Sequence, residues 1–488
     1  MQIFKEFSVE AGHRRPNLRG GHKCGRPHGR SSLVAIHVSG ERARHPPPAV
    51  STGIARELRR HRGFRRRAPH DQPSSQGQGQ PPPRSGASTA VIPVTLRIHD
   101  TAQRALVRLE VGPVVRMYVC GITPYDSTHL GHAATYITYD LLTRRLEELG
   151  HEVRMVRNVT DVDDSILPKA RELGVDYLEL ADAELARFQA DMDALGMRPP
   201  AAEPRATEAI GGMIEMAAQL LDSSHAYLTH GTVYFDVSTF PRYGELSHYS
   251  LEHMIRLARA RGGNPDDPHR RAPLDFILWQ PSQPGEPAWR APFGVGRPGW
   301  HLQCSVMSTE ALGPTLDLHG GGTDLIFPHH ECEIAQSESI TGQPFSRHWT
   351  HSAMVSYEGE KMSKSLGNLV FVSDLLKSAD PRAIRLALMR HHYRAGFEWH
   401  DTDLDEGNAQ LHRLLAAADR PDGADPRPFA ERVRSALDAD LDAPSALEAL
   451  DDLASAILSG GTDTSAPAVL RELGDLLGVD LRAPLEHR

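Results

Sequence analysis

Apolar and polar positions change rhythm several times along this chain, and each change marks a predicted element. From Thr95, the stretch TLRIHDTAQRALVRL holds two short runs of alternating apolar residues, the period of half-buried strands. An apolar run at Met117-Tyr118-Val119 predicts a strand, and Ala133 to Leu149 predicts a helix stopped by Gly150, a residue suited to a C-terminal cap. Glu152 to Val159 (EVRMVRNV) predicts a second strand. Strand, helix and strand at this spacing imply a parallel sheet in a Rossmann-like α/β domain. Residues 165–227 read mainly as helix, with VDYLELADAELARFQADMDAL at helical spacing up to Gly196 and Pro199-Pro200. Between 228 and 290, Gly and Pro interrupt the pattern around a strand at TVYFDV. Two strands with loops are expected through WHLQCSVM (300–307) and LDLHGGGTDLIFPHHECEIAQS (316–337). Beyond Ser365 the pattern is helical to the end, including a helix at Pro381–Tyr393.

At 488 residues the chain can bury two or three cores. No apolar run reaches the ~18–20 residues of a membrane helix, and the N-terminus lacks the apolar centre of a signal peptide. Four scattered cysteines (Cys24, Cys120, Cys304, Cys332) form no disulfide framework, so a cytoplasmic protein with free thiols is expected. The net charge of −9 is unevenly spread. Residues 1–90 carry 17 Lys and Arg against 5 Asp and Glu, whereas residues 401–488 carry 8 against 19. Low apolar content with Arg, Pro and Gln enrichment predicts that RELRRHRGFRRRAPHDQPSSQGQGQPPPRS is disordered. The expected division is a basic appendage at 1–92, a catalytic domain at 93–375 with an insertion at about 190–290, and an acidic helical domain at 376–488.

The chemistry centres on Cys120 to His132, CGITPYDSTHLGH, between the predicted strand and helix. A strand that delivers the chain to a helix N-terminus presents free N–H groups to phosphate. The glycine spacing matches neither the dinucleotide fingerprint nor the P-loop. His129-Leu130-Gly131-His132 resembles the HIGH motif of class I aminoacyl-tRNA synthetases, and Lys361-Met362-Ser363-Lys364-Ser365 matches their KMSKS signature 229 residues after His132. That resemblance implies a class I catalytic domain with a connective insertion. It also implies ATP with Mg²⁺ as cosubstrate and catalytic roles on its phosphates for His129, His132, Lys361 and Lys364, the last also binding ATP.

Within that class, Cys120, the Cys304 of WHLQC and the His329 of FPHHE match the zinc ligands of the cysteine-activating enzymes. One Zn²⁺ with three protein ligands keeps a position open, and zinc favours a thiolate there, which selects cysteine over serine. Glu333, one turn after His329, is expected as a fourth ligand or as a group orienting His329, and Cys332 as a bystander. The resemblance also implies that Cys120, Gly121, Ile122, Thr123, Thr135, Asn158, Val159, Thr160, Trp300, Gly322, Thr323, Asp324 and Val355 hold cysteinyl-adenylate, Asp324 through ribose hydroxyls. Asp163 and Asp164 read equally as helix caps or as functional carboxylates.

Two sister families share these motifs: cysteinyl-tRNA synthetases, and the mycothiol-pathway ligases that join cysteine to glucosaminyl-inositol. CGITPYD and THLGHAATY look like the ligase pattern, and Arg261-Gly262-Gly263-Asn264-Pro265 resembles the ligases' ERGGDP, with Ala260 and Asn264 as departures. HHECEIAQSE is close to the synthetases. Only 123 residues follow Ser365, and the last 88 carry net charge −11, which opposes the phosphate contacts a tRNA needs. The expected function is an ATP-dependent carbon–nitrogen ligase that forms an amide between cysteine and glucosaminyl-inositol, with tRNA cysteinylation as the alternative. No tRNA or membrane partner is expected, and the enzyme is expected to be a monomer. Separately, residues 1–40 resemble the start of 6-pyruvoyl- and 6-carboxy-tetrahydropterin synthases, with His13, Cys24 and His28 on matching positions. The third zinc position is Arg30, whose guanidinium cannot bind a metal. A fusion remnant or a misplaced start codon is the expected origin.

Overall fold

In a computed structural model, residues 96–125, 128–362 and 367–485 are described. Val114–Ile122 pairs in parallel with Glu152–Val159 on one side and with Leu318–Gly322 on the other, and Trp349–Ser352 completes the sheet beyond Leu318–Gly322. Met117, Tyr118 and Val119 are fully buried, because layers cover both faces of the sheet, and a strand so covered reads as an apolar run rather than an alternation. Parallel neighbours need crossover connections, and the first crossover is the helix Leu130–Glu148, closed by Gly150 at φ 92°. The chain moves outward to Glu152–Val159 and later returns on the opposite side of the central strand. The strand order therefore reverses between Val114–Ile122 and Leu318–Gly322, and such a reversal opens a crevice at the strands' carboxyl ends.

Helices Ile166–Leu173, Tyr177–Ala194 and Ile210–Asp222 precede a separate five-stranded antiparallel sheet between residues 226 and 298. The two runs after Thr95 form a hairpin, Arg97–Asp100 with Ala105–Arg108. It docks on the main sheet where the Thr101 amide donates to the Trp349 carbonyl at 2.7 Å.

One predicted strand is a helix. Trp300–Leu312 is helical, although WHLQCSVM reads as a strand. Leu302 through Ser308 are all buried, and a helix enclosed on every side loses the polar face that makes its period visible. The run from Pro381 is helical only to Met389. Past it the chain turns back so that Phe397–Glu398 pairs with Val355–Ser356.

Four longer helices follow, Asp401–Ala418, Arg427–Asp438, Ala443–Ser459 and Ala466–Leu476. Leu414, Leu450 and Leu473 share one apolar cluster with Met117 and Leu142 of the sheet layer, so this helical part packs directly on the Rossmann-like layer. Among the described residues no helix is long and apolar enough to cross a membrane. His13, Cys24, His28, Arg30 and Lys364 lie outside the described residues.

Candidate active site

The crevice predicted by the strand reversal is a cleft of about 460 Å³. Cys120, Gly121, Ile122, Thr123, His129, His132, Thr135, Gly322 and Asp324 line it. His129 is the N-cap of Leu130–Glu148, where its Nδ1 accepts from the Gly131 amide at 3.1 Å. The rings of His129 and His132 stack with centroids 3.9 Å apart. A side chain at Gly131 would lie 2.9 Å from the His129 ring, so the glycine is what lets the imidazole fold back over the helix start. The helix N-terminus and both imidazoles thus face one cavity, the arrangement that suits an anionic ligand.

Other expected residues brace this cleft from behind. The Gly121 amide donates to Asn158 Oδ1 at 2.7 Å, and Asn158 Nδ2 donates to Thr160 at 2.9 Å. A Cβ at Gly121 would come within 1.6 Å of the Asn158 carbonyl. Val159 is buried in the same strand. The Thr123 hydroxyl donates to Asp163 Oδ2 at 3.2 Å, while Asp163 Oδ1 caps Ile166–Leu173 through the amides of Ser165 and Ile166. Asp163 is therefore both cap and brace, and burial pushes its carboxyl up. Asp164 instead pairs with Arg297 at 2.5 Å, away from this cleft. Thr135 shares a 2.8 Å hydrogen bond with Ser352, and the Thr323 amide donates to the Ser352 carbonyl at 2.8 Å. Val355 is buried in the strand Val355–Tyr357, and Lys361 ends the facing strand Glu360–Lys361.

Cys120, which lines the cleft, belongs to a buried group with Cys304, His329 and Glu333 whose ligand atoms lie within 4.8 Å of one another. Cys120, His319, His330 and Glu333 form a second such group that shares Cys120 and Glu333. His301 Nδ1 lies 3.0 Å from His329 Nδ1, and the Trp300 indole stacks on the His329 ring at 4.2 Å. Nδ1 of His329 is thereby occupied, and Nε2 is left for the cluster. Neither carboxylate oxygen of Glu333 makes a hydrogen bond. His319 Nε2 sits 3.1 Å from Glu333 Oε2, close enough for an ion pair but off the hydrogen-bond direction, so the distance does not satisfy either atom. Burial pushes the Glu333 carboxyl and the Cys120 thiol well up and His329 well down. Buried soft donors and an orphaned carboxylate fit a divalent cation, which favours the thiolate, carboxylate and neutral imidazole forms.

The motif reading missed three groups here. His330 Nε2 lies 3.3 Å from Cys120 Sγ, His330 Nδ1 lies 2.8 Å from His351 Nε2, and His351 Nδ1 lies 2.7 Å from the Thr101 hydroxyl. His319 stands across from Tyr118 in the sheet register. His330 carried a signal as the second histidine of FPHHE beside His329, whereas His319 and His351, single histidines in their strands, carry none beyond their identity. Cys332 stays outside both groups and meets the Tyr243 hydroxyl at 3.2 Å.

Residues 108–409 match the family described as tRNA synthetases class I (C) catalytic domain. A Thermobispora bispora protein named L-cysteine:1D-myo-inositol 2-amino-2-deoxy-α-D-glucopyranoside ligase is 48% identical over 388 residues, covering 79% of this chain and 96% of the relative. A protein of the same name from Nocardiopsis dassonvillei is 45% identical over 406 residues, covering 82% of this chain and all of the relative (100%). The chain belongs to this ligase family, within the class I synthetase fold. It is an enzyme of the ligase class. Solved structures carry the fold further afield. Methionyl-tRNA synthetase of Mycobacterium tuberculosis, in complex with methionyl-adenylate, aligns with TM-score 0.52 at 18% identity, over 75% of this chain and 89% of its own. LeuRS of Agrobacterium radiobacter K84 aligns with TM-score 0.54 at 11% identity, over 77% and 87%.

For a ligase of this family, the arrangement separates two kinds of work. The helix start and histidine pair line the cleft, and the buried thiol–imidazole–carboxylate cluster adjoins it through Cys120. A ligand with an anionic end and a soft donor end would span the two.

Proposed function

We propose that this ligase activates L-cysteine with ATP as cysteinyl-AMP and transfers the cysteinyl group to the amine of glucosaminyl-inositol, as in mycothiol biosynthesis. The observation that carries the proposal is the buried Cys120–Cys304–His329 cluster, which meets the histidine-lined cleft at Cys120. It joins a thiol-selective donor set to a phosphate-suited helix start. A zinc ion held by Cys120, Cys304 and His329 would offer an open coordination position to a thiol and so distinguish cysteine from serine.

In the first step a cysteine carboxylate oxygen bonds to the α-phosphorus of ATP, and the bond to the β-phosphate bridging oxygen breaks. Pyrophosphate leaves with that electron pair. His129, His132 and the positive end of the helix Leu130–Glu148 stabilise the phosphate charge that builds up, with Mg²⁺ accompanying ATP. Lys361 and Lys364 supply point charges to the leaving group. Asp324, beside Gly322 at the rim, accepts from the ribose hydroxyls. In the second step the acceptor amine nitrogen bonds to the cysteinyl carbonyl carbon, the C–O bond to AMP breaks, and the nitrogen loses a proton. Asn158 and Asp163 act by holding Gly121 and Thr123 in place. The enzyme works in the cytoplasm as a monomer.

The test is direct. The full chain, ATP and cysteine are offered glucosaminyl-inositol or tRNA in parallel. AMP formation with disappearance of the amine is expected for the first acceptor only. Cysteinylation of tRNA with no amide product would replace this proposal with the synthetase reading.

A further inference from the structure

The segment Arg261-Gly262-Gly263 belongs to neither the cleft nor the metal-type cluster. It follows the helix Leu251–Ala260 and walls a second cavity of about 140 Å³. One water needs ~10–15 Å³ of such space, so the cavity has room for a single saturated ring. Residues 322–328 border both spaces, Gly322 and Asp324 facing the cleft and Phe327 and Pro328 the second cavity. Arg261 fastens that border, because its Nη1 donates to the carbonyls of Asp324 and Phe327. Trp300, stacked on His329, and His301, 3.0 Å from it, form the wall toward the cluster.

Arg270 lines this cavity with its side chain only 8% exposed. Its Nε has no hydrogen-bond partner among the described atoms, and the Asp267 carboxylate stays 3.9 Å away. A buried guanidinium donor left unmade is costly, and the same side chain forms part of the cavity wall. Gln280 adds an amide, and Trp300 adds an indole ring. Asp164 and Asp275 also line it, so the wall carries both signs and disfavours a multiply charged anion. Donors, acceptors and an aromatic wall without net charge suit a neutral polyhydroxylated ring.

We propose that this cavity receives the inositol ring of the acceptor, with Arg270 and Gln280 as its hydrogen-bond partners and Trp300 separating it from the cysteine site. The inference rests on the ligase reading above. It explains why a ligase-type glycine segment stands away from the nucleotide cleft: the glycines wall the acceptor's space rather than the phosphates'.

The experiment compares the full-length enzyme with Arg270→Gln and Gln280→Leu. Losing a charge-assisted hydrogen bond should raise the acceptor KM at least ~10-fold in Arg270→Gln, with a smaller rise in Gln280→Leu. Cysteine-dependent ATP–pyrophosphate exchange, which needs no acceptor, reports that fold and cysteine site persist. Added myo-inositol should compete with the acceptor in the wild type and lose potency in both variants. If Arg270→Gln fails to fold, the partly exposed Gln280 carries the test alone. Acceptor use by the wild type with an unchanged acceptor KM in every folded variant overturns this inference and leaves the ligase reading standing. Competition by inorganic phosphate but not by myo-inositol overturns it in favour of an anion site. A wild type that consumes no acceptor defeats both.

Discussion

Cys304 is enclosed within a buried helix and joins Cys120 in the cluster. Cys304→Ser replaces a thiolate donor by a hydroxyl that binds zinc poorly at neutral pH. The expected result is loss of bound metal and of cysteine-dependent pyrophosphate exchange, with circular dichroism unchanged. Chelation should reproduce the loss and added zinc should reverse it. Full activity in a folded, metal-free variant would rule the metal out as selector.

Asp191 is a second residue with a distinct signature. It is buried, with no hydrogen bond at Oδ2, and burial pushes its carboxyl up to about 6 despite the nearby Thr128 hydroxyl. An unfolded aspartate titrates near ~3.9. Below both values each state holds the proton and the group costs nothing. Between them only the unfolded chain ionises, so stability falls as pH rises from about 4 to about 6 and the cost is constant above. Asp191→Asn should therefore raise Tm at pH 7.5 and leave it nearly unchanged at pH 4. Equal shifts at both pH values would clear Asp191 of the effect.

At the scale of elements, one buried guanidinium ties four of them together. Arg385, in Pro381–Met389, is fully buried and pairs with Asp140 of Leu130–Glu148 at 2.5 Å. It also donates to the carbonyl of Leu477, after the last helix, at 2.8 Å and to that of Leu195, which caps Tyr177–Ala194, at 3.1 Å. Removing one partner of such a pair strands the other, at a cost of about 3–5 kcal/mol. Asp140 keeps Arg144 at 2.8 Å, so Arg385→Met should fall near the lower end, measured by urea unfolding. Because the pair anchors the helix whose start forms the cleft, activity should fall in step with the folded fraction rather than ahead of it. Loss of turnover in a fully folded variant would give Arg385 a role the packing does not provide.

At the scale of the whole molecule, the relatives span nearly their full length within about four-fifths of this chain, 96% against 79% for the Thermobispora bispora ligase. The family match begins at residue 108. A version beginning at Ile92 should therefore retain cysteine-dependent exchange within about twofold. A large loss would show that the basic N-terminal stretch belongs to the working enzyme.

The class I fold was legible because its signals are local. Apolar runs, a glycine stop and two short phosphate motifs each lie within a few neighbouring residues, and local signals survive in a linear sequence. Cys120, Cys304 and His329 were legible for the same reason, each inside its own motif. Tertiary structure alone decided the rest. Trp300–Leu312 hid as a helix because burial on every side erased its period. His319 and His351 entered the site from different strands, with no spacing to announce them. Arg270, 61 residues before Glu331 of the buried cluster helix, acquired its meaning only when folding buried its Nε without a partner and set the side chain in the wall of a cavity. Sequence records which groups are present. Desolvation, which sets what those groups require, is a property of how distant segments pack.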